Sequence, residues 1–305
     1  MLPEIVVIGS LNTDLVGSVE RLPRPGETVT GHAFNIFCGG KGANQAYAAA
    51  QLGGRVAMIG CVGQDDFGNS QIENLAQAGV QVDFIERHAE LPTGTAMIEV
   101  DAEGENRIVI IPGANGSLSE ASISRHQEII QNAKMILLQL EIPRATVATA
   151  IRIAHKSSVP ILLDPAPAST IPADWLSADD WLTPNLHELA ILAQTPLNES
   201  SSFDSITEAA KAVRCRHHAK VLAKLGHRGA LLVTDESPRH FPAPTKTAVD
   251  TTAAGDCFNG AFATRFAIEH SIPDSIEFAN RAAALSVTRT GAQNSMPTLT
   301  ELETA

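Results

Sequence analysis

The chain has 305 residues, of which 44% are hydrophobic and 4% aromatic, and its formal net charge is −12. This length predicts one or two domains with a large core, and no apolar run reaches the roughly 18 residues that a membrane span needs. Because the charge is negative and Lys and Arg are not clustered, we expect neither nucleic acid nor an anionic membrane surface as a partner.

Cysteine usage and the first residues bear on the cellular compartment. The cysteines at positions 38, 61, 215 and 257 are scattered without CxxC spacing, which is typical of reduced thiols rather than of disulfides or a zinc site. The segment Met1-Leu2-Pro3-Glu4 has no basic region before an apolar one, so it does not resemble a secretory signal. We therefore expect a cytoplasmic protein.

The N-terminal part predicts a buried strand followed by a small β layer. Ile5-Val6-Val7-Ile8 is a short apolar run, and Asn12 and Asp14 flank a predicted turn after it. Because the run does not continue as GxGxxG, a dinucleotide-binding unit is disfavoured. Further strands are predicted over 28–37, 84–85, 96–100 and 107–111, with a hairpin turn over 101–106. Together they predict a lid drawn from about 12–38 and 94–112.

Helices are also predicted in the N-terminal part. From Ser119, a predicted N-cap, helices and strands alternate regularly. Predicted helices cover 43–52, 66–78 (with Gly79 as its C-cap), 119–132, 144–156, 185–194, 205–215, 254–269 and 273–289. Predicted strands cover 56–60, 135–140, 160–163, 181–182, 221–223 and 230–233. This alternation predicts a single α/β domain over 1–305, with a mostly parallel central sheet and helices on both faces.

Polar residues directly follow several of the predicted strands. In an open α/β sheet, ligands bind beyond the C-terminal strand ends. The side chains there are Asn12, Asp14, Glu141, Asp164, Asn185 and Glu188. They suit hydroxyl groups and a cation, but each also has an ordinary structural interpretation. Asn12 and Asp14 could form an Asx turn, Glu141 could be a solvated loop acid, and Asn185 with Glu188 could form a capping box.

The stretch Asp250 to Gly260 predicts a turn that leads into a helix N-terminus. Ala253, Ala254 and Gly255 have almost no side chain, so a phosphate could lie against their unpaired N–H groups. Asp256 lies at the same helix end, where the helix dipole would keep its carboxyl ionised. The alternative is that Asp256 is only a first-turn helix carboxylate.

Two stretches carry a family resemblance. The residues 250–260 and Gly39-Gly40-Lys41-Gly42-Ala43-Asn44-Gln45-Ala46 resemble two signatures of the ribokinase-like sugar kinases of the phosphofructokinase-B type. The second stretch is not a Walker A motif, since neither Ser nor Thr follows Lys41. The resemblance runs from the first strand to about Pro297. It implies transfer of a phosphoryl group from ATP to the 5-hydroxyl of D-ribose, with Mg²⁺ and K⁺, by a homodimer paired through the lid sheets.

The resemblance also implies roles for individual residues. Asp256 would be the catalytic base, and the N–H groups of Ala253, Ala254, Gly255 and Asp256 would form an anion hole. The implied sugar contacts are Asn12, Asp14, Gly40, Lys41, Gly42, Ala43, Asn44, Glu141 and Asp256. The implied nucleotide contacts are Asn185, Lys224, Leu225, Gly226, His227, Arg228, Gly229, Gly255 and Asn280. The implied K⁺ site comprises Asp250, Thr252, Ser286, Arg289, Gly291 and Ser295, and Glu188 would hold Mg²⁺ through water.

One implied position departs from the family pattern. Members that act on ribose commonly have Thr where Lys224 stands, and some related acid-sugar kinases carry Lys there. The nearest rival is therefore a kinase of the same fold that acts on another sugar, an acid sugar or a nucleoside. A second rival is a non-catalytic protein that senses a sugar or a nucleotide.

Overall fold

The structure, a computed structural model, describes residues 2–304. The strands of this part of the chain are, in order, β1 (Ile5–Ile8), β2 (Asn12–Val19), β3 (Gly31–Gly39), β4 (Val56–Gly63), β5 (Ile85–His88), β6 (Gly94–Val100), β7 (Asn106–Ile111), β8 (Met135–Leu138), β9 (Ile161–Leu163), β10 (Trp181–Leu182), β11 (Lys220–Lys224), β12 (Ala230–Val233) and β13 (Arg239–Phe241). The α-helices are α1 (Lys41–Gln51), α2 (Asp66–Gln77), α3 (Glu120–Arg125), α4 (Gln127–Gln131), α5 (Arg144–Lys156), α6 (Leu186–Ala193), α7 (Phe203–His217), α8 (Ala254–Glu269), α9 (Ile272–Ser286) and α10 (Leu299–Thr304).

Nine of these strands form the main sheet, in the order β13-β12-β11-β10-β9-β8-β1-β4-β5. The strands from β11 to β5 are parallel to their neighbours, and β12 and β13 add an antiparallel edge. The predicted fold class, a mostly parallel sheet between helices with a small additional sheet, is confirmed. Within residues 2–304, no helix is both long and apolar enough to cross a membrane.

Apolar layers cover both faces of the main sheet, which explains why its strands are apolar at successive positions. On β1, Val6 and Ile8 face one layer, whereas Ile5 and Val7 face the other. The second layer contains α1 and α8, and the fully buried Trp181 packs edge-on against Phe262 there, with 4.8 Å between ring centroids. Burial of each large side chain stabilises the fold by roughly 1.5–3 kcal/mol, so α1 and α8 are held firmly on the sheet.

The remaining four strands form a separate sheet in the order β3-β2-β6-β7. Strand β2 is antiparallel to β3 and parallel to β6, and β7 is antiparallel to β6. The turn predicted around Asn12 and Asp14 is wrong, because both residues belong to β2. Asn12 pairs with Gly39 on one side and with Gly94 on the other, so pairing with distant strands decides the local conformation.

Other elements also differ from the sequence prediction, most clearly one helix break, one helix end and two elements that were not predicted. The helix predicted over 119–132 is broken at His126, whose N–H bonds to the carbonyl of Ile123 in a tighter turn. The ring of His126 packs edge-on against Phe84 at this break. The last long helix ends at Ser286 rather than 289, since the next residues form tight turns. Strand β13 and helix α10 were not predicted, being short.

Candidate active site

The polar residues that follow the parallel strands meet at one edge of the main sheet. Helices α1 and α8 begin at the same edge. A Cβ on Gly42 would lie only 2.7 Å from the backbone of Gly9 and Ser10, so the first turn of α1 rests directly on the segment after β1. The N–H of Ala43 donates to the carbonyl of Ser10 at 2.9 Å. The glycines of the predicted motif thus permit close backbone contact at this edge.

Asp256 lies in the first turn of α8 and is 5% exposed. Its Oδ2 accepts a hydrogen bond from Asn44 Nδ2 at 3.0 Å, and its Oδ1 accepts one from Gln45 Nε2 at 3.0 Å. Burial raises the pKa of this carboxyl; the Lys41 ammonium opposes the shift, and Asp164 adds to it. The interpretation that the helix end sets the ionisation of Asp256 is therefore wrong, because burial is the largest influence.

The predicted anion hole is a left-handed turn at the start of α8. Ala253, the N-cap, has φ 57° and ψ 12°, a conformation that costs an alanine roughly 1–2 kcal/mol. The N–H of Ala254 donates to the carbonyl of Thr251 at 3.3 Å, so this predicted donor is already engaged. Among the hydrogen bonds of residues 2–304, none uses the N–H of Gly255 or Asp256. The N–H of Ala253 is likewise unused among the described residues, so these three amides are the donors that remain for an anion.

Acidic side chains surround the predicted sugar positions. Glu141 accepts hydrogen bonds from Ser10 Oγ at 2.5 Å and from the Lys41 N–H at 3.2 Å. Burial raises the pKa of Asp14 to about 7, with further contributions from Glu141 and Asp256 that Lys41 partly offsets. The Asp14 carboxyl lies against Gly39 where a Cβ would be, so a larger residue at position 39 would displace this carboxyl.

Lys41 and Asn12 complete this side of the site. Burial would lower the pKa of Lys41, but the fields of the surrounding acids, Asp256 first among them, outweigh burial and raise it. The ammonium is therefore a permanent positive charge among carboxylates. Asn12 is buried, and its Oδ1 accepts a hydrogen bond from Asn115 Nδ2 at 2.8 Å, so its amide nitrogen and one lone pair of Oδ1 remain for a ligand.

Most of the predicted nucleotide residues line a cavity of about 370 Å³, bounded by Asn185, Leu186, His187, Leu197, Asn198, Glu199 and residues 224–228; Gly229 and Gly255 do not line it. Leu225 is buried in the core beneath the loop, so only its backbone can contact a ligand. Arg228 packs its guanidinium over Phe203, 4.2 Å from the ring centroid, and donates to the carbonyl of Ser201 at 2.9 Å. Its side chain therefore braces the loop.

Asn185 and Glu188 form the capping box that was predicted as the structural alternative to a role in binding nucleotide and Mg²⁺. Glu188 Oε2 accepts from the Asn185 N–H at 2.7 Å, while Asn185 Oδ1 accepts from the Glu188 N–H at 2.8 Å. Burial raises the pKa of Glu188, and Asp164 raises it further. Asn280 lies apart from this pair: it lines a second cavity of about 350 Å³, and its Nδ2 donates to the carbonyl of Phe241 at 3.0 Å.

The residues of the implied K⁺ site come from two loops that are joined by Asp250. Its Oδ1 accepts from the Thr252 N–H and its Oδ2 from the Gly291 N–H, each at 2.9 Å. The hydroxyls of Ser286 and Ser295 donate to carbonyls within their own turns. Arg289 turns its guanidinium to Glu301 at 2.9 Å, so only its backbone can face these loops.

Sequence reasoning missed the amides that hold the predicted catalytic base, Asp256, and its partner Asn44. Gln45 is fully buried and lies in the quoted motif, but its contacts with Asp256 and Asp164 come from distant parts of the chain. Gln293 Nε2 donates to Asn44 Oδ1 at 3.1 Å, which directs the Asn44 amino group towards Asp256. In the sequence, only its place inside the motif 39–46 distinguishes Gln45, and that gives no sign of these contacts.

Comparisons with known proteins match almost the whole chain. The model of the pfkB family carbohydrate kinases matches residues 2–299. The chain is 40% identical to a ribokinase of Schizosaccharomyces pombe, over 98% of this chain and 96% of that protein. It is 38% identical to a deoxyribokinase of Salmonella typhi, over 97% of this chain and 96% of that protein. The structure of Arabidopsis thaliana ribokinase complexed with ribose and ATP superposes with a TM-score of 0.92 at 35% identity, covering 100% of this chain and 98% of that one.

Proposed function

The chain belongs to the pfkB family of carbohydrate kinases, and we propose that it transfers the γ-phosphoryl group of ATP to the 5-hydroxyl of D-ribose. The family resemblance seen in the sequence is thereby confirmed, and so is the class of enzyme, an ATP-dependent sugar kinase. One observation carries the assignment of the site: the buried carboxylate of Asp256 lies beside the unused N–H groups at the start of α8.

The proposed step is an in-line displacement. The oxygen of the sugar 5-hydroxyl forms a bond to the γ-phosphorus while the bond from that phosphorus to the bridging oxygen breaks, and the electron pair leaves with ADP. Asp256 accepts the hydroxyl proton, and Asn44 and Gln45 hold its two oxygens in place. The free N–H groups of Gly255 and Asp256 offset charge on the phosphoryl oxygens. A raised pKa makes the carboxylate a better base.

The residues near Glu188 fit a Mg²⁺ ion held through water. Each Glu188 carboxylate oxygen accepts one hydrogen bond from Asn185 and has a further lone pair that can accept one from water. No group of three His, Cys, Asp or Glu side chains within residues 2–304 is arranged to hold a metal directly. Mg²⁺ is commonly bound by one or two carboxylates together with substrate phosphates, and when bound it would offset their charge.

The loops joined by Asp250 fit a K⁺ ion in our proposal. Hydrogen bonds from the Gly291 and Thr252 N–H groups outweigh burial and lower the pKa of Asp250, so a carboxylate charge persists between the loops. The hydroxyl oxygens of Ser286 and Ser295 donate their hydrogens elsewhere and keep lone pairs. Arg289 would take part only through its carbonyl.

Initial rates on a sugar panel test the function. We expect ATP consumption to be fastest with D-ribose, slower with 2-deoxy-D-ribose, and higher in K⁺ than in Na⁺ at equal ionic strength. The deoxyribokinase relative makes 2-deoxyribose the main rival sugar. Faster turnover of another sugar, an acid sugar or a nucleoside would correct the substrate. No ATP consumption with any of them, together with sugar binding, would favour a non-catalytic sensing protein.

Sugar affinity should depend on the protonation of Asp14. We propose that its carboxylate accepts sugar hydroxyls, and its pKa of about 7 means that it binds a proton as the pH falls through this value. Protonation removes an acceptor, so ribose affinity should fall by up to about tenfold per pH unit below 7. Titration calorimetry from pH 5.5 to 8 measures this.

The stability of the fold should depend on pH in the opposite direction to sugar affinity, since Asp14 lowers stability as the pH rises. The folded-state pKa of Asp14 is raised, so its contribution to stability is full below pH 3.8 and is lost as the pH rises through about 7.

Asp14→Asn is the control for the affinity measurement and should bind ribose weakly, with little pH dependence between 6 and 8. An unchanged pH dependence in that variant would assign the titration to another group.

The smaller sheet is proposed to act as a lid that excludes water from the site and to pair two subunits. Cross-strand register places Ile36, Leu15, Met97 and Val109 in one row on one face. Ile36, Met97 and Val109 are at least half exposed in the isolated chain. A row of exposed apolar side chains on a sheet favours association, and a second copy is the proposed partner.

A single charge in that row should disrupt the dimer. We expect Val109→Glu to be monomeric at micromolar concentration in sedimentation velocity, where the parent chain is a dimer. The control is Ile268→Glu on α8, which is 53% exposed against 60% for Val109 but lies away from the smaller sheet. A dimeric Val109→Glu variant would refute this interface.

The free thiols at positions 38, 61, 215 and 257 accord with the proposed cytoplasmic location.

A further inference from the structure

A nearly buried ion pair lies at the carboxyl ends of β9 and β11. Lys224 ends β11 and Asp164 follows β9; Lys224 Nζ donates to Asp164 Oδ1 at 3.0 Å, and their side chains are 11% and 3% exposed. Removing two charges from water costs free energy that the pair seldom recovers in full. Such a pair is therefore expected to add little to the stability of the fold, so a functional role must be considered for it.

The ammonium of Lys224 lies over the first turn of α8. A Cβ built on Gly255 would be 3.4 Å from Lys224 Nζ, 3.7 Å from Cε and 3.8 Å from Cδ. The unused N–H groups of Gly255 and Asp256 belong to this same turn. A cation and backbone donors thus flank one position, and an anion placed there would be stabilised by both.

A chain of hydrogen bonds joins the ion pair to the catalytic base. Asp164 Oδ2 accepts from Gln45 Nε2 at 3.0 Å, and the same nitrogen donates to Asp256 Oδ1 at 3.0 Å. Gln139 Nε2 donates to Gln45 Oε1 at 2.7 Å, which fixes the orientation of the Gln45 amide. Lys224 is therefore held at one end of a rigid network whose other end is Asp256.

The charge balance of the site explains why a held cation is useful. Carboxylates of Asp164, Glu188 and Asp256 lie near the place of phosphoryl transfer, and the whole chain carries −12. These charges repel a nucleotide. An ammonium fixed beside Gly255 offsets that repulsion where charge spreads over the transferring group. The Thr common at this position in members that act on ribose offers no such charge.

We propose that Lys224 is a catalytic residue whose ammonium contacts the transferring phosphoryl group, and that Asp164 is a positioning residue that holds the ammonium beside Gly255. The proposal rests on the proposed kinase function. In the step, the sugar oxygen forms its bond to the γ-phosphorus, the electron pair of the breaking bond leaves with ADP, and the proton moves to Asp256. Lys224 keeps its protons throughout and serves only as a fixed charge.

The test compares Lys224→Thr, Asp164→Asn and the neutral double variant. Lys224→Thr should lower kcat by about 100-fold, with ADP and ribose dissociation constants within about threefold of the parent values. ADP with aluminium fluoride, a mimic of the transferring phosphoryl group, should inhibit this variant far more weakly than the parent. Asp164→Asn should lower kcat by about tenfold while ribose affinity is retained.

The double variant separates catalysis from stability. Each single change leaves one buried group without its partner, whereas Lys224→Thr with Asp164→Asn leaves no charge there, so its midpoint of thermal unfolding should return towards the parent value. Its kcat should stay as low as that of Lys224→Thr. Recovery of kcat to within threefold of the parent, or unchanged aluminium fluoride inhibition of Lys224→Thr, would overturn the proposal. Absence of sugar phosphorylation by the parent chain would instead refute the proposed function.

Discussion

Asp256→Asn should lower kcat for ribose phosphorylation at least about a hundredfold, by the usual magnitude of general-base catalysis. The variant keeps the size of the side chain but removes the group that we propose accepts the hydroxyl proton. It also faces two donors, since Asn44 Nδ2 and Gln45 Nε2 both point at the carboxylate. One of these contacts must be lost in Asp256→Asn, because the new amino group cannot accept. The measurement is kcat under saturating ATP and ribose, with thermal unfolding to confirm that the variant is folded.

A matched control tests the alternative that Asp256 is only a helix-end carboxylate. Asp274 lies in the first turn of the neighbouring helix α9 and is exposed. Asp274→Asn removes the same charge from the same helical position, and its expected effect is about 0.3–1 kcal/mol of stability with unchanged turnover. If both variants retain near-normal turnover, Asp256 has no catalytic role and the proposed step fails.

Gly40→Ala should reduce kcat/KM for ribose by about a hundredfold, because displacement of catalytic groups by about 1 Å can have this effect. Gly40 has φ 89°, and a Cβ there would lie 2.6 Å from the Asn12 nitrogen and 2.9 Å from the Ser10 carbonyl oxygen. Neither backbone atom can rotate away as a side chain could. The first turn of α1, which carries Lys41 and Asn44, must therefore move from the strand ends.

The control for Gly40→Ala is Gly79→Ala. Gly79 has φ 91°, almost the same as Gly40, but no atom lies within 4 Å of its added Cβ. Both variants place an alanine at a positive φ, which strains the backbone. Gly40, with ψ 131°, lies outside the left-handed helical region, and only Gly40→Ala meets a backbone clash. We expect the two to lose stability but only Gly40→Ala to lose activity. Equal kcat/KM values in the two variants would show that close backbone approach at Gly40 does not position the site.

The elements that local chemistry specifies were predictable. Helices over 144–156 and 254–269 have the bounds expected from their apolar pattern, and Ser119 caps its helix through the Ser122 N–H as expected. Strand β2 was not predictable, because five of its eight residues are polar or glycine and its pairing partners lie 27 residues away, at Gly39, and 82 residues away, at Gly94.

The candidate site divides in the same way. The motif around Asn44 and the turn before Asp256 were visible as stretches of small and polar residues, and the structure brings them into contact at 3.0 Å. The supporting amides were not visible, since Gln45 bonds to Asp164 across 119 residues and Gln293 to Asn44 across 249. Contacts at such separations depend on the packing of α1 against the segments that carry Asp164 and Gln293, which no local pattern encodes. The extent of burial at Asp256, and hence the direction of its pKa shift, has the same origin.

The most direct measurement is a crystal structure of the parent chain with ribose and a non-hydrolysable ATP analogue. We expect the γ-phosphate within hydrogen-bond distance, about 2.7–3.2 Å, of the Gly255 N–H, and the sugar 5-hydroxyl equally close to an Asp256 oxygen. A triphosphate bound far from the start of α8, or a sugar whose 5-hydroxyl points away from Asp256, would contradict the central claim that this carboxylate and these amides carry out the transfer.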